Sequence, residues 1–127
     1  MNIDAIPVEL RNVAQWVAWR LEIRHGGQTK VPVNPRSLRA AATNDHRTWS
    51  TFHRAMKAVG RRGIVGVGFV LRASDPYCGI DLDGCIGEGG ELNAEAELLI
   101  KRFNTYSEIS PSGKGVKMIL RGKKPPN

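Results

Sequence analysis

The sequence predicts an α/β protein of the α+β kind, with a mixed, largely antiparallel central sheet and flanking helices. Short segments rich in β-branched and aromatic residues alternate with turn residues, which is typical of strands joined by tight connections. Two other segments carry apolar residues at the spacing of a helix. With 127 residues, the chain is long enough for one hydrophobic core, so we expect a single domain over residues 1–127.

The composition excludes several classes of protein. Hydrophobic residues make up 41% of the chain and charged residues 24%, which is typical of a globular protein and not of a disordered one. No apolar run reaches the length of a membrane span, and the first residues lack the pattern of a signal peptide. We therefore predict a cytoplasmic protein without a membrane partner. The cysteines Cys78 and Cys85 do not form a zinc-binding pattern.

The first third of the chain predicts a helix followed by a hairpin. Pro7 suits the first turn of a short helix over residues 7–13. Residues 15–22 have the composition of a strand, and residues 29–33 would return beside them after the turn at Gly26-Gly27. Pro32 cannot donate a backbone hydrogen bond, so the returning strand belongs at a sheet edge.

The nearby Trp16 and Trp19 have two interpretations. Either ring can stack on a nucleic-acid base, but tryptophans in an apolar segment more often lie in the core. We expect at least one of them to be a core residue.

A second helix is predicted around Trp49. Its apolar residues recur at spacings of three, four and three, namely Trp49, Phe52, Met56 and Val59. Asp45 or Thr48 would cap its start, and Gly60 would follow its end. His53 falls on the polar face, so we expect it to be exposed to solvent.

The next segments predict the strands that carry the candidate site. Residues 64–71 form a nearly continuous apolar run, which indicates a buried central strand. After the Asp75-Pro76 turn, residues 77–81 would return antiparallel to it as a hairpin. A helix is predicted over residues 93–103, and short strands over residues 106–109 and 116–120.

Two aspartates, Asp81 and Asp83, lie two residues apart at the end of the predicted strand. Alternate side chains of a strand point the same way, so both carboxylates would project from one face. Carboxylates that close repel each other unless a cation lies between them, and Mg²⁺ or Mn²⁺ prefers such oxygen ligands. The alternative is an ordinary polar start of a loop, where aspartate is common.

The loop between the last two strands is a candidate phosphate site. It contains Ser110, Ser112, Gly113, Lys114 and Gly115, and Lys117 follows in the next strand. Backbone N–H groups of a glycine-containing loop can form a nest for an anion, and the lysines add positive charge. The spacing is not that of a Walker A loop. The alternative is a simple hairpin connection.

The charge distribution favours a polyanionic partner. Residues 1–72 contain twelve Lys and Arg against four Asp and Glu, a net +8, whereas residues 73–127 contain seven against eight, a net −1. A basic half is typical of nucleic-acid binding, although lysine and arginine also simply keep a surface soluble. The candidate nucleic-acid contacts are Lys30, Arg36, Arg39 and Arg47.

Together these segments resemble the primase-polymerase domain of the archaeo-eukaryotic primase superfamily, in particular the bifunctional DNA primase/polymerase domains at the N-termini of phage and plasmid replication proteins. The resemblance rests on residues 79–83, 106–109 and 110–115. It extends upstream to residues 15–20, 29–35, 48–49 and 66–70, in the expected order.

The resemblance implies an enzymatic activity, the residues of its site, its metal ions and its partners. Asp81 and Asp83 match the family's first motif and would bind two divalent ions that activate a 3′-hydroxyl and bridge the triphosphate. Ser112, Gly113 and Gly115 match the second motif, which holds the incoming nucleotide. The implied partners are a DNA template and primer, nucleoside triphosphates, and a helicase domain or subunit. The implied fold is a primase-like core with part of an RNA-recognition-motif-like sheet.

The chain departs from the family pattern in two places. Lys117 stands where the family has histidine, and a lysine neutralises phosphate without the directed hydrogen bond of imidazole. The family's third acidic residue has no counterpart after the second motif. Glu108 either replaces that residue or is an ordinary surface carboxylate. We expect that the C-terminal part of the family core is missing. Two interpretations follow: an active nucleotidyltransferase domain, or an inactive module that binds nucleotides or DNA.

Overall fold

A computed structural model describes residues 5–82, 84–103, 106–109 and 114–121. The chain divides into two compact units, Met1–Val70 and Leu71–Asn127, and each is described by itself. Each unit contains one three-stranded sheet, and all strand pairs are antiparallel. The predicted α+β class is confirmed, although the strands are distributed over two small sheets. Among the described residues, no helix is long and apolar enough to cross a membrane.

The described residues of the first unit form two α-helices, three strands and a short 3₁₀ helix at His46–Thr48. The α-helices and strands are α1 (Val8–Arg11), β1 (Trp16–Arg24), β2 (Gly27–Val33), α2 (Phe52–Ala58) and β3 (Ile64–Phe69), and the strand order in the sheet is β2-β1-β3.

The predicted hairpin of β1 and β2 is confirmed, with Arg24 opposite Gly27. His25 and Gly26, between the strands, both have positive φ, as in the two-residue turns that match the twist of a hairpin. Pro32 lies on an edge strand, as predicted.

Helix α2 covers one face of this sheet. The core beneath it consists of Ala18, Val33, Ala58 and Ile64, and all four are nearly inaccessible to solvent. Trp16 is buried beside it, with its ring edge-on to Phe52 at 4.8 Å and its indole N–H bonded to the Leu10 carbonyl at 2.9 Å. The expectation that at least one of the tryptophans is a core residue is therefore confirmed.

The prediction for residues 64–71 is wrong in its pairing. Strand β3 pairs with β1 at the edge of the first sheet and is not a central strand, and it forms no hairpin with the strand that begins at Tyr77. Its apolar character reflects burial of its two faces: α2 packs on one, and the Trp19 ring lies over Gly66 on the other. Burial of faces does not require a hydrogen-bonded neighbour on both sides.

Helix α2 is also shorter than predicted. Trp49 precedes it, because the Thr51 side chain caps its start by accepting from the Arg54 N–H. Asp45 caps a separate 3₁₀ turn at His46–Thr48 instead. Val59 ends the helix, and Gly60 follows with φ of +92°, so the predicted C-terminal glycine is confirmed. His53 is exposed, as predicted.

The second unit contains β4 (Tyr77–Leu82), α3 (Ala94–Phe103), β5 (Tyr106–Ile109) and β6 (Val116–Arg121), with the strand order β4-β6-β5. Asn93 caps α3, since its side-chain oxygen accepts from the Ala96 N–H at 2.8 Å. The helix packs on one face of the sheet around the fully buried Met118 and the buried Val116. The helix and both short strands that were predicted here are confirmed.

Candidate functional site

Three charged side chains lie in one row across the second sheet. Asp81 on β4 is directly opposite Lys117 on β6, and Lys117 is directly opposite Glu108 on β5. Residues paired in this way project from the same face of a sheet. Their sequence neighbours Ile80 and Met118 pack in the core under α3. The charged row, Asp81, Lys117 and Glu108, therefore lies on the face of the sheet away from α3.

The charged row is accessible to ligands. Asp81 and Glu108 are exposed and Lys117 is half-buried. Within the part of the chain that the structure describes, no ion pair joins Lys117 to either carboxylate. Directly opposite side chains begin about 5 Å apart, so the Lys117 side chain is within reach of either carboxylate.

Tyr106 holds the Glu108 end of the row. Its hydroxyl donates to Glu108 Oε2 at 2.6 Å, and the two residues alternate along β5, so both project from the same face. Burial raises the pKa of the Tyr106 phenol well above its usual range, and the hydrogen bond and negative charge of Glu108 raise it further. Tyr106 therefore stays protonated and keeps donating to the carboxylate.

The same face is bounded at one point by Leu71. A Cβ on Gly79 would lie 3.0 Å from Leu71 Cδ1, which is tighter than nearly all real contacts. Gly79 is two residues before Asp81 on β4, so its missing side chain lets Leu71 pack close to the backbone. A larger residue at position 79 would require the Leu71 side chain to shift.

Three strand ends coincide at one end of this sheet. Leu82 of β4, Val116 of β6 and Ile109 of β5 lie in one row. Asp83 comes directly after Leu82 in the sequence, and the predicted phosphate loop joins Ile109 to Val116. The pairing therefore brings Leu82, Ile109 and Val116, the described residues that border the two sequence motifs, to the same end of one sheet.

Several predicted site residues lie outside the described residues: Asp83, Ser110, Ser112 and Gly113. At the end of the loop, Lys114 is exposed and Gly115 is buried. The Lys114 carbonyl accepts from the Ile86 N–H at 3.1 Å, which ties this end of the loop to the segment after β4.

The predicted metal site depends on oxygen donors. Among the described residues, His, Cys, Asp and Glu form no group of three or more that could hold a metal ion. Asp81 and Glu108 are separated by two inter-strand spacings, about 9 to 10 Å, too far for them to share the inner shell of an ion without help. Asp81 is nevertheless an exposed hard donor, and Mg²⁺ commonly binds through one or two carboxylates while keeping several waters. Its chemistry fits the ion, and the prediction for Asp83 stays a prediction.

The predicted nucleic-acid contacts belong to the first unit. The Lys30 ammonium lies 4.6 Å from the centroid of the Trp19 ring. Arg36 donates to the Arg47 carbonyl at 2.7 Å, and Arg47 pairs with Asp45 at 3.0 Å. Arg39 is exposed. The structure describes the contacts and exposure of these residues, and their role in nucleic-acid binding stays a prediction.

Sequence reasoning missed Tyr106 and the contact between Lys30 and Trp19. The signal for Tyr106 was its alternation with Glu108 along a strand, which places both side chains on one face. The signal for the other contact was the hairpin itself: Lys30 pairs with Leu21, so it is a diagonal neighbour of Trp19 on the same face.

Comparison with known proteins gives one informative similarity. Over 126 residues, which is 98% of this chain, the sequence is 40% identical to a DNA primase-polymerase of Nitratiruptor phage NrS-1. The chain spans only 17% of the length of that relative. No known protein-family profile matches the chain.

Proposed function

We propose that this chain belongs to the primase-polymerases and takes part in template-directed transfer of nucleotides to a DNA strand during phage or plasmid replication. The similarity to the phage primase-polymerase supports this, because 40% identity is maintained over 98% of the chain. DNA and nucleoside triphosphates are then the substrates. The matched region makes up 17% of the length of that relative, and the activity is proposed from this region.

One observation carries the proposal: Asp81 and Lys117 lie directly opposite each other on an accessible face. A nucleotidyl transfer needs a carboxylate that holds a divalent cation and a positive group that holds the triphosphate. In this sheet both groups stand side by side on paired strands, which are rigid supports for a site.

The proposed roles follow from the chemistry of each side chain. Bound Mg²⁺ or Mn²⁺ supplies charge neutralisation and activates the attacking hydroxyl. Asp81 and Asp83 hold the metal. Lys117 acts as a point charge on the triphosphate, and the loop residues Ser110, Ser112, Gly113, Lys114 and Gly115 hold its phosphates through backbone N–H groups and hydroxyls.

The reaction forms a bond between the primer 3′-oxygen and the α-phosphorus of the nucleotide. The bond between the α-phosphorus and the bridging oxygen breaks, diphosphate leaves, and the hydroxyl proton passes to solvent. The chain contributes by position and charge, since phosphoryl chemistry needs little else from a protein.

A second candidate is a module of the same ancestry that binds nucleotides or DNA without catalysis. The position of Lys117 favours it. A lysine whose strand neighbours are Asp81 and Glu108 lowers the negative potential that attracts a metal ion, while it still attracts a triphosphate.

Primer extension on a DNA template with dNTPs and Mn²⁺ tests the proposal. The variant Asp81→Asn removes one charge at the proposed metal ligand with little change in size, and we expect extension to be lost. Glu95→Gln is the matched control, because Glu95 is exposed on α3, the helix on the other face of the sheet. That control should extend primers as the wild type does.

The outcomes separate the two candidates. Extension that survives Asp81→Asn contradicts the role of Asp81. If the wild type binds a fluorescent dNTP in the presence of metal but never extends a primer, the inactive module is correct. If it neither extends primers nor binds nucleotide or DNA, both candidates are wrong.

A further inference from the structure

We propose that the first unit binds single-stranded nucleic acid on the face of its sheet away from α2, by stacking a base on Trp19 and contacting the adjacent phosphate with Lys30. We define the Trp19 surface as the side chains that share this face: Trp19, Leu21, Ile23, Lys30 and Pro32. Binding is independent of chemistry in the second unit. Only the identification of the bound strand as a template rests on the proposed function.

The Trp19 ring is held against the sheet. Trp19 is directly opposite Gly66 on β3, and a Cβ on Gly66 would lie 2.6 Å from the indole. The ring therefore occupies the space that any larger residue at position 66 would need. The indole N–H also donates to the Val67 carbonyl at 3.1 Å. Trp19 is half-buried and is fixed at two points, so a stacking base meets a preorganised ring.

Lys30 lies on the neighbouring strand β2, with its ammonium over the same ring at 4.6 Å. An exposed cation–π contact of this kind is weaker than the stacking of a base on an aromatic ring. A base can therefore replace the ammonium on the indole with a net gain. The displaced ammonium remains on a flexible stem beside the base, where it can pair with the phosphate of the same nucleotide.

The neighbouring side chains suit a strand of nucleotides. Leu21 and Ile23 continue the apolar strip along β1 and are 41% and 81% exposed. The spacing of alternate residues along a strand is about 6.6 Å, close to the span of one nucleotide of an extended single strand. The Trp19 ring and Lys30 supply the two parts of a base-stacking platform, an aromatic face and a positive charge, and the aliphatic side chains extend the apolar surface beside them.

The charge of this face suits a polyanionic partner. In strands β1, β2 and β3 the only acidic residue is Glu22. Its side chain lies on the opposite face, where it pairs with Arg20 at 2.8 Å and with Arg24 at 3.0 Å. No strand carboxylate therefore opposes a phosphate at the Trp19 surface, within a half of the chain whose net charge is +8.

A binding assay with two oligomers tests the stacking directly. Fluorescence anisotropy would compare labelled oligothymidine with an abasic oligomer of the same length and phosphate number. We expect the wild type to bind oligothymidine more tightly. Trp19→Leu should weaken that binding by about 5- to 100-fold and leave the abasic oligomer nearly unaffected, because only the base contact is lost. Trp19→Phe, which keeps an aromatic ring, should restore most of the preference.

Lys30→Gln tests the phosphate contact, with Lys57→Gln as its matched control. Lys57 is an exposed lysine on α2, the helix that covers the opposite face of the same sheet. Lys30→Gln should weaken binding of both oligomers and reduce the slope of log affinity against log salt by about 0.7. Lys57→Gln should leave both unchanged. Equal effects of the two lysine substitutions would mean that general charge, and not this surface, attracts the strand.

Three results would overturn the proposal. One is a wild type that binds the abasic oligomer as tightly as oligothymidine. The second is unchanged binding by a folded Trp19→Leu variant; if that variant unfolds, the oligomer comparison and the lysine pair still decide. The third is self-association that Ile23→Ser abolishes, with no binding of either oligomer, since a second copy of the chain would then cover the face. Asp81→Asn should bind oligothymidine normally, so failure of catalysis and failure of this surface remain distinguishable.

Discussion

The Tyr106 hydroxyl donates a 2.6 Å hydrogen bond to the Glu108 carboxylate on the same strand. This bond fixes a negative charge directly opposite Lys117. Asp81 faces Lys117 from the other side, so the lysine is the centre of an alternating row of charges. In the proposed site we therefore expect a cation on the Asp81 side, toward the end of β4, and an anion above Lys117.

Replacement of Lys117 tests the anion side of this row. Lys117→Met should weaken binding of a nucleoside triphosphate by about 10- to 100-fold, because a charged hydrogen bond is lost and two carboxylates then face the phosphates unopposed. Lys117→His should retain or raise the affinity. Isothermal titration calorimetry gives both values.

Lys101→Met is the control for this series, since Lys101 is 74% exposed and pairs with Glu97 on α3. It should bind nucleotide as the wild type does. A Lys117→Met variant that melts much lower than wild type would instead show that the lysine has a structural role.

The phenol of Tyr106 makes stability depend on alkaline pH. Its pKa is raised in the folded protein by burial first and by Glu108 second, so the folded state holds the proton more tightly than the unfolded chain. The stabilisation is complete below the unfolded pKa of about 10 and is lost as pH rises above it. Urea unfolding from pH 8 to 11 should show this loss in the wild type.

The Tyr106→Phe variant should lack that part of the alkaline decline. Its unfolding free energy at neutral pH should be lower than that of the wild type, because the hydrogen bond to Glu108 is absent, and the two curves should converge as pH rises. Parallel curves over the whole range would contradict the assignment.

Gly66 should be far less tolerant of substitution than Gly68 on the same strand. A Cβ at position 66 would lie 2.6 Å from the Trp19 ring, whereas at position 68 the nearest atom is 3.7 Å away, on Val17. We expect Gly66→Ala to destabilise the protein by about 1 to 3 kcal/mol through overpacking. Gly68→Ala should change stability by less than about 1 kcal/mol. Thermal or urea unfolding measures both, and equal losses would contradict the close approach of the ring.

Local signals predicted local structure well. The β1–β2 hairpin was predicted with a turn at Gly26-Gly27, and the structure has it with the turn one residue earlier, at His25-Gly26. Helix α3 was predicted from its apolar spacing after Asn93. The start of α2 was misplaced because Trp49 has helical spacing with Phe52. The helix begins after Thr51, because the Thr51 side chain caps its first turn. The spacing of apolar residues does not reveal which polar residue acts as the cap.

The pairing of strands that are distant in the sequence was harder to predict. Strands β3 and β4 are neighbours in sequence with a turn between them, yet they pair with β1 and β6. The alternation of Asp81 with core residues was predictable from the sequence, but its register with Lys117 and Glu108 depends on a partner strand more than thirty residues away. The contributions of Asp83 and of residues 110–113 stay predictions.

The two outer strands of the first sheet each carry a feature that resists pairing with a further strand. On β2, the Pro32 carbonyl points outward and accepts from the Ala41 N–H at 3.1 Å, and proline has no N–H to offer at that position. On β3, the register with β1 shifts at Trp19 and Arg20, so Val65 bulges out and is 55% exposed.

A bulge and an edge proline both protect a sheet from edge-to-edge aggregation. These two features therefore oppose strand addition although three apolar side chains of the sheet, Leu21, Ile23 and Val65, are exposed. We therefore expect any partner of this sheet to bind through the side chains of its face and not by adding a strand to its backbone.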